Sequence, residues 1–387
     1  MNLLITAVSS AVGPSGICRH AYNLVLCAAR CAEVSHITLA LGNWQEVYFQ
    51  QTFNLASPKL KIITVNISND AFARNLWYLR ELPKLADAVA ADIIHLSFPV
   101  PIRRDTLRCP VVVSLHDLYP YDEPNNFGFP KVFFNRVFLY QCLKEVDCVA
   151  CVSETTLSRL KTRFPRFAHR KSVVIHNCVT IDSSEPQTPK GQRYQFVLMV
   201  AQHRANKNIP LALKAFEELR RGGKIDKQTV LLLVGNEGPE TISIRYLMKR
   251  LALEQCVRLV EGVSDGELRW LYAHCECLIV PSLIEGFGLP IVEGLMCGCR
   301  VVCSNIPAFR EIGGNACHYF DLHAESGASA VVMAICDALA EPVRSAQHLE
   351  RFFLPIVAGE YAALYAQLRE DIGVTAGSRG DAGVGVD

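Results

Sequence analysis

A glycine-rich segment, Pro281-Ser-Leu-Ile-Glu285-Gly-Phe-Gly-Leu-Pro290-Ile-Val-Glu293, lies between an apolar run that ends at Val280 and a helical pattern. The apolar run predicts a buried strand, and Pro290 suits the first turn of a helix. The segment therefore predicts strand, loop and helix. In such a loop, Gly286 and Gly288 let the backbone approach a ligand, and the helix start offers unpaired N–H groups to an anion.

Two carboxylates flank this glycine-rich turn. Glu285 falls in the predicted loop, and Glu293 falls in the first turn of the helix. A carboxylate repels a phosphate but accepts hydrogen bonds from hydroxyl groups. The pattern therefore predicts a ligand that carries phosphate, a ribose and a second sugar.

The arrangement Glu-x7-Glu around Gly-Phe-Gly-Leu-Pro resembles the donor-site signature of glycosyltransferase family 4, a family of retaining enzymes with the GT-B fold. The resemblance implies that Glu293 holds the ribose of a nucleoside-diphosphate sugar and that Glu285 holds hydroxyls of its sugar. It also implies donor contacts along the turn between them, at Gly286, Phe287, Gly288 and Leu289.

Short runs rich in Val, Ile and Leu alternate with helical patterns in both halves of the chain, which predicts α/β structure with mostly parallel sheets. In the first half the predicted strands are residues 2–6, 36–41, 61–66, 93–97, 111–115, 147–152 and 172–176. In the second half they are residues 195–200, 229–234, 257–260, 277–280 and 300–303. The sequence therefore predicts two Rossmann-like domains.

Residues 1–180 and 194–346 are the predicted domains, with a polar linker rich in Pro and Ser at 181–193. Ligands of open parallel sheets bind at the carboxyl ends of the strands, so we expect the domains to face each other across a cleft there. The resemblance implies that a helix at about 347–370 packs back on the first domain. Residues 373–387 lack core residues and are predicted to be disordered.

Three further candidates follow predicted strands. His116 follows the strand 111–115, and the resemblance places it beside the donor sugar at the reacting carbon. Gly16 lies in the turn after the first strand, where the family has a glycine-rich loop beside the diphosphate. Asn236 follows the strand 229–234 and resembles the family's loop near the nucleotide base.

Two cations, Arg204 and Lys207, follow the first strand of the second domain. Arginine and lysine can stabilise the charge that develops on a leaving diphosphate in place of a metal ion. Lys207 matches the family pattern, whereas the usual arginine position is occupied by Gln202, so Arg204 is a displaced substitute. No Asp-x-Asp pair occurs in the chain, which argues against a metal-dependent GT-A enzyme. We expect no bound metal ion, no cofactor and no nucleic-acid partner.

The charge of the 387-residue chain is uneven. Residues 1–178 carry 19 Lys and Arg against 13 Asp and Glu, although the net charge of the whole chain is +1. The aromatic and basic segments 72–84 and 131–144 could contact an anionic membrane, or could equally pack in the core with their cations reaching solvent. Residues 1–6 lack a basic start, and no apolar run is long enough to span a bilayer. We therefore expect a cytoplasmic protein, with peripheral membrane contact as one alternative.

These features predict a metal-independent hexosyltransferase, and the resemblance to family 4 implies that it retains the anomeric configuration. Its donor is a nucleoside-diphosphate sugar, with a mannose-type hexose favoured, and its acceptor is a hydroxyl of a glycan or a lipid-linked molecule. The resemblance implies cell-surface polysaccharide synthesis, such as O-antigen, lipopolysaccharide or capsule. Two alternatives stay open: a GT-B hydrolase or epimerase of nucleotide-sugars, and a catalytically silent subunit that binds them.

Overall fold

A computed structural model describes residues 1–13, 15–122, 130–167, 171–180, 185–191, 194–324 and 326–380. The chain divides into two compact units. The first unit comprises residues 1–178 and 351–387, and the second comprises residues 179–350. Part of the predicted linker packs on the second unit, because the backbone N–H of Gln187 donates a hydrogen bond to the carbonyl of Gly266 at 3.1 Å.

Within the described residues, the first unit contains one sheet of seven parallel strands: β1 (Asn2–Thr6), β2 (His36–Gly42), β3 (Leu60–Val65), β4 (Ile93–Leu96), β5 (Val111–Leu115), β6 (Cys148–Cys151) and β7 (Lys171–Val174). Their order in the sheet is β3-β2-β1-β4-β5-β6-β7. Strands β4, β5 and β6 are buried over their whole length, and both faces of the sheet are covered by helices, as expected for a parallel sheet. All seven coincide with predicted strands.

Several helices between the strands of the first unit begin at a polar N-cap residue. Ser15 accepts a hydrogen bond from the backbone N–H of Cys18, and Ser153 accepts one from Thr156. The helices are α1 (Gly16–Arg30), α2 (Glu46–Thr52), α3 (Ala71–Arg80), α4 (Leu82–Ala88), α5 (Tyr119–Asp122), α6 (Lys131–Glu145) and α7 (Glu154–Arg163). Among the described residues, two apolar layers fill the space between these helices and the sheet. Cys148 belongs to one layer and Cys151 to the other, as expected for positions three apart on a strand.

In the described part of the second unit, six parallel strands form a sheet: β8 (Phe196–Val200), β9 (Val230–Val234), β10 (Val257–Val260), β11 (Leu278–Val280), β12 (Val301–Ser304) and β13 (Cys317–Phe320). Their order in the sheet is β10-β9-β8-β11-β12-β13. This is the strand order of a Rossmann fold, whose switch point lies between β8 and β11. The sequence did not predict β13, which extends the sheet beyond β12.

The helices of the second unit follow the expected alternation with strands. The helix that begins at Asp265 starts with a capping box: the Ser264 hydroxyl accepts from the backbone N–H of Glu267, and the Glu267 carboxylate accepts from the backbone N–H of Ser264. The helices are α8 (Ile209–Arg221), α9 (Thr241–Arg250), α10 (Asp265–His274), α11 (Leu289–Met296), α12 (Pro307–Gly313) and α13 (Gly327–Ala340). The two parallel sheets with flanking helices confirm the predicted fold class.

The last helix, α14 (Leu354–Gly380), returns to the first unit and packs on α1. Its buried side chains belong to the same apolar layer as those of α1, among them Val357, Tyr361, Tyr365 and Leu368. The region predicted as one helix begins with a separate 3-10 turn at Gln347–Phe352. The helix also continues to Gly380, where the sequence predicted disorder from 373 onward. No proline after Pro355 interrupts it. Residues 381–387 lie outside the described part of the chain.

No helix in the described ranges combines the length and the apolar character that crossing a membrane requires.

Candidate active site

The glycine-rich segment forms a loop after β11 and leads directly into α11, with Pro290 in the first turn. Gly288 has a φ of +115°, and a Cβ atom there would lie 2.9 Å from the ring of Phe309. Glycine is therefore required at this position both by its conformation and by its close packing. Phe287 is buried, so its side chain anchors the loop in the core.

Glu285 and Lys207 lie on neighbouring loops and form an ion pair. The loops follow β11 and β8, the two strands at the switch point, and the backbone N–H of Leu283 donates to the carbonyl of Asn206 across them at 2.8 Å. Lys207 Nζ donates to Glu285 Oε1 at 2.5 Å. The two side chains are 25% and 15% exposed, respectively. An ammonium group has three donors, so Lys207 can hold Glu285 and a phosphate oxygen together.

Glu293 lies in α11 and is oriented by a tyrosine that the sequence did not single out. The hydroxyl of Tyr272, on α10, donates to Glu293 Oε2 at 2.8 Å. Tyr272 is buried, and burial together with the Glu293 carboxylate raises the pKa of its hydroxyl well above the ordinary value. The tyrosine therefore stays protonated and acts as a fixed hydrogen-bond donor to the carboxylate.

The other candidate residues of the second unit, Arg204 and Asn236, lie in the loops after β8 and β9. Arg204 and Gln202 are both exposed in the loop after β8. The carbonyl of Asn236 accepts from the backbone N–H of His203 at 3.2 Å, which fastens the loop after β9 to the loop after β8. The neighbouring Glu237 pairs with Arg245 at 2.7 Å on the surface. The two loops at this edge of the sheet are thus joined through their backbones.

In the first unit, Gly16 is the first residue of α1 and is exposed. A Cβ atom there would meet nothing within 4 Å, so packing does not demand glycine at this position. The preceding Ser15 caps the helix through its side chain. Gly16 therefore marks an open helix start, which is compatible with a phosphate but not specific for one.

His116 follows β5, and the backbone fixes its ring. The carbonyl of Ser97, after β4, accepts a hydrogen bond from His116 Nε2 at 2.9 Å. A carbonyl only accepts, so Nε2 carries the proton. Burial lowers the pKa of His116, although the Ser97 hydrogen bond and Asp117 act in the opposite direction. Asp117 itself accepts from the backbone N–H of Tyr119 at 2.9 Å. His116 is thus a neutral imidazole oriented by Ser97.

A second histidine, His20 on α1, touches His116. The two ring centroids are 4.5 Å apart, and the ring planes are nearly perpendicular at 89°. The sequence did not single out His20, although a histidine in the apolar stripe of a helix is an unusual residue to bury. Across the described ranges, the side chains of His, Cys, Asp and Glu form no group of three arranged to hold a metal ion.

Two known families match the chain over adjoining regions. Residues 14–183 match the family described as Glycosyltransferase Family 4, and residues 180–349 match the family described as Glycosyl transferases group 1. The boundary between the matches falls close to residue 179, where the second structural unit begins.

Curated proteins resemble this chain at modest sequence identity. The chain is 28% identical to O-antigen chain mannosyltransferase B of Escherichia coli over 215 residues, which are 53% of this chain and 55% of that protein. It is 24% identical to O-antigen chain mannosyltransferase RfbU of Salmonella typhimurium LT2 over 318 residues, which are 80% of this chain and 84% of that protein. The chain thus spans about half the length of the first relative and most of the second.

Solved structures resemble the chain over nearly its whole length. Sucrose-phosphate synthase from Thermosynechococcus elongatus has a TM-score of 0.69 at 18% identity, covering 95% of this chain and 99% of that one. WaaG, a glycosyltransferase involved in lipopolysaccharide biosynthesis, has a TM-score of 0.65 at 16% identity, covering 96% of this chain and 98% of that one. At these identities the likeness shows the fold alone.

Proposed function

Since the chain belongs to glycosyltransferase family 4 and has the GT-B fold, we propose that it transfers a mannose-type hexose from a nucleoside-diphosphate sugar to a hydroxyl of a glycan or lipid-linked acceptor. The observation that carries this proposal is the grouping of Lys207, Glu285 and Glu293 at the switch point of the second sheet. A cation and two carboxylates beside a helix start suit a diphosphate that bears a sugar on each side.

Each group has a part in the proposed donor complex. Glu293, fixed by Tyr272, accepts from the ribose hydroxyls, and Glu285 accepts from hydroxyls of the donor sugar. Lys207 and the N–H groups at the start of α11 contact the diphosphate. As the bond between the sugar and the phosphate oxygen breaks, negative charge accumulates on that oxygen, and the Lys207 ammonium stabilises it. His116 contributes a neutral imidazole at the reacting carbon, as the family resemblance implies.

The proposed reaction is a front-face displacement that retains the anomeric configuration. The bond from the anomeric carbon to the phosphate oxygen breaks, and a bond from the same carbon to the acceptor oxygen forms. The proton of the acceptor hydroxyl passes to the leaving phosphate.

No step of the proposed reaction requires a metal ion, so transfer is expected to continue at full rate in the presence of a chelator such as EDTA.

The names of the relatives support mannose as the transferred sugar and O-antigen synthesis as the pathway. Both curated relatives described above are called O-antigen chain mannosyltransferases. We therefore propose that the present chain transfers mannose in a cytoplasmic step of lipopolysaccharide or O-antigen assembly.

The test is a donor screen followed by a transfer assay. Melting temperature is measured with UDP-, GDP-, ADP- and dTDP-sugars, because a ligand at a hundred times its Kd stabilises the folded protein by about 2.7 kcal/mol. The stabilising donor is then incubated with lipid-linked and glycan acceptors. We expect release of nucleoside diphosphate that depends on an acceptor. Free sugar or an epimer formed without acceptor would identify a hydrolase or epimerase, and binding without turnover would identify a silent subunit.

Tyr272→Phe is expected to weaken nucleoside-diphosphate binding by about tenfold, because a hydrogen bond to a carboxylate contributes roughly 1.5 kcal/mol or more. The substitution removes one oxygen atom and leaves the buried ring in place. Isothermal titration with the nucleoside diphosphate measures the change. Tyr246→Phe, at an exposed tyrosine of the same unit, serves as the matched control. An unchanged Kd for Tyr272→Phe would show that Tyr272 does not prepare Glu293 for the ribose.

We also propose that α6 contacts an anionic membrane. Phe133, Phe134, Val137 and Tyr140 are between 43% and 56% exposed on this helix, which also carries basic residues. In the other aromatic segment, 72–84, Trp77 and Tyr78 are buried and core packing accounts for these two residues, whereas Phe72 is 77% exposed.

Phe133→Ser with Phe134→Ser is therefore expected to reduce cosedimentation with vesicles that contain phosphatidylglycerol, since aromatic side chains anchor a helix at the bilayer interface. Ile242→Ser, at a more exposed apolar residue of the second unit, should bind these vesicles like the wild type. Equal binding by all three proteins would refute the contact at α6.

A further inference from the structure

A chain of four buried polar side chains crosses the core of the first unit and ends at His20. Tyr365 Oη lies 2.6 Å from His95 Nδ1, and His95 Nε2 lies 2.9 Å from Ser114 Oγ. Ser114 Oγ in turn lies 2.8 Å from His20 Nε2. His20 is 4% exposed and the other three are fully buried. These residues come from α14, β4, β5 and α1, and together they form what we call the buried hydrogen-bond chain.

Ser114 Oγ lies between His95 Nε2 and His20 Nε2, and its single proton goes to only one of them, so the other histidine donates to the serine from Nε2. His95 Nδ1 takes the complementary role towards the Tyr365 hydroxyl. Both imidazoles are neutral. Burial lowers the pKa of His95 to about 3 and lowers that of His20 well below its ordinary value.

The buried hydrogen-bond chain leads to the residue that contacts His116. Four polar groups occupy positions in the core that apolar side chains could fill without the need for partners. The last of them, His20, meets the His116 ring at 4.5 Å and nearly at right angles. On the other side, Ser97 holds His116 Nε2 and is itself fixed, because its hydroxyl donates to the carbonyl of Thr6 at 2.6 Å. The His116 imidazole is thus held from two directions.

We propose that His20 is a positioning residue for His116, and that Tyr365, His95 and Ser114 keep His20 in place. The proposal rests on the proposed transferase function and deepens it. Without the buried hydrogen-bond chain, the His20 ring can rotate and the His116 imidazole loses the neighbour that limits its own rotation. A small misorientation of a reacting group is enough to slow a reaction, even when every group that touches substrate remains.

The experiment is a graded series of Tyr365→Phe, Ser114→Ala and His20→Ala. We expect kcat to fall by about threefold, tenfold and thirtyfold in that order, as the change approaches His116. The KM for the donor should stay within about twofold, since the residues proposed to bind it belong to the second unit. Tyr22→Phe is the matched control. It removes a hydroxyl from α1 that donates to the carbonyl of Asn54 at 3.2 Å, and its kcat should equal that of the wild type.

A role in folding alone gives a different result. If Tyr365→Phe and Ser114→Ala lower the melting temperature but keep the wild-type kcat, the proposal is wrong. Tyr365→Phe changes a single oxygen atom, so it should remain folded even if His20→Ala does not. Nitrogen-15 NMR of the imidazoles gives a readout that does not need activity: the His116 ring signals should be sharp in the wild type and shifted or broadened in Ser114→Ala, because the ring loses a fixed neighbour while the Ser97 carbonyl still accepts from Nε2. An identical His116 spectrum in both would also overturn the proposal. A wild type that transfers no sugar would instead count against the proposed function.

Discussion

Glu285→Gln is expected to lower kcat by about a thousandfold, because the substitution removes a charge aimed at the reacting sugar from a site partly shielded from water. Glutamine has nearly the same shape as glutamate, so the loop after β11 should keep its conformation. The carboxylate is proposed to bind the sugar and not the nucleotide, so the Kd of the free nucleoside diphosphate should change little. Steady-state transfer kinetics and isothermal titration measure the two quantities.

The matched control for this variant is Glu237→Gln. Glu237 also belongs to an ion pair of the second unit, with Arg245 at 2.7 Å, but its side chain is 56% exposed. Its kcat should remain that of the wild type, and the melting temperatures of both variants should stay close to the wild-type value. Full transfer activity in Glu285→Gln would refute the assigned donor site and with it the proposed function.

Lys207→Met is expected to lower kcat by about a hundredfold or more, because the ammonium group is proposed to stabilise charge on the leaving diphosphate. Methionine keeps the length of the side chain without its charge. The Kd of the nucleoside diphosphate should rise as well, which distinguishes this variant from Glu285→Gln. Lys214→Met, at an exposed lysine of α8, is the control and should behave like the wild type. Unchanged binding and turnover in Lys207→Met would remove the lysine from the site.

The double variant Glu285→Gln with Lys207→Met tests whether the ion pair acts as a unit. Each single substitution leaves the other charge without its partner at 2.5 Å. Groups in direct contact give non-additive effects, so the double variant should lose less activity than the product of the two single losses. Strict additivity would indicate that the two residues act independently during transfer.

The sequence predicted the elements whose signal is local. Val111–Leu115 has four aliphatic residues and one serine, Ser114, and it forms a strand buried along its whole length. Ser264 and Glu267 stand three residues apart before an apolar pattern, and they form the capping box of α10. By contrast, β13 is only four residues long and contains His318 and Tyr319, so its pattern did not stand out from the surrounding loop.

Contacts that depend on tertiary structure could not be predicted from the sequence. Lys207 and Glu285 are 78 positions apart, and their pairing follows from the adjacency of β8 and β11, which no local pattern shows. The same holds for Tyr272 and Glu293, which lie on successive helices. A partial signal existed for His95, because a histidine inside the apolar run of β4 has to find a partner when the strand is buried. Its partner Tyr365 is 270 residues away and could not have been named.

The return of α14 to the first unit also constrains the order in which the protein can be made. The apolar layer that contains α1 includes residues from Val357 to Leu368, so translation must pass residue 368 before that layer can close. Residues 179–350 contain the whole second sheet, and they emerge from the exit tunnel earlier. The amino-terminal half, although synthesised first, is therefore the later of the two to reach its native state, and nascent chains stalled before residue 354 should expose its unfinished core to chaperones.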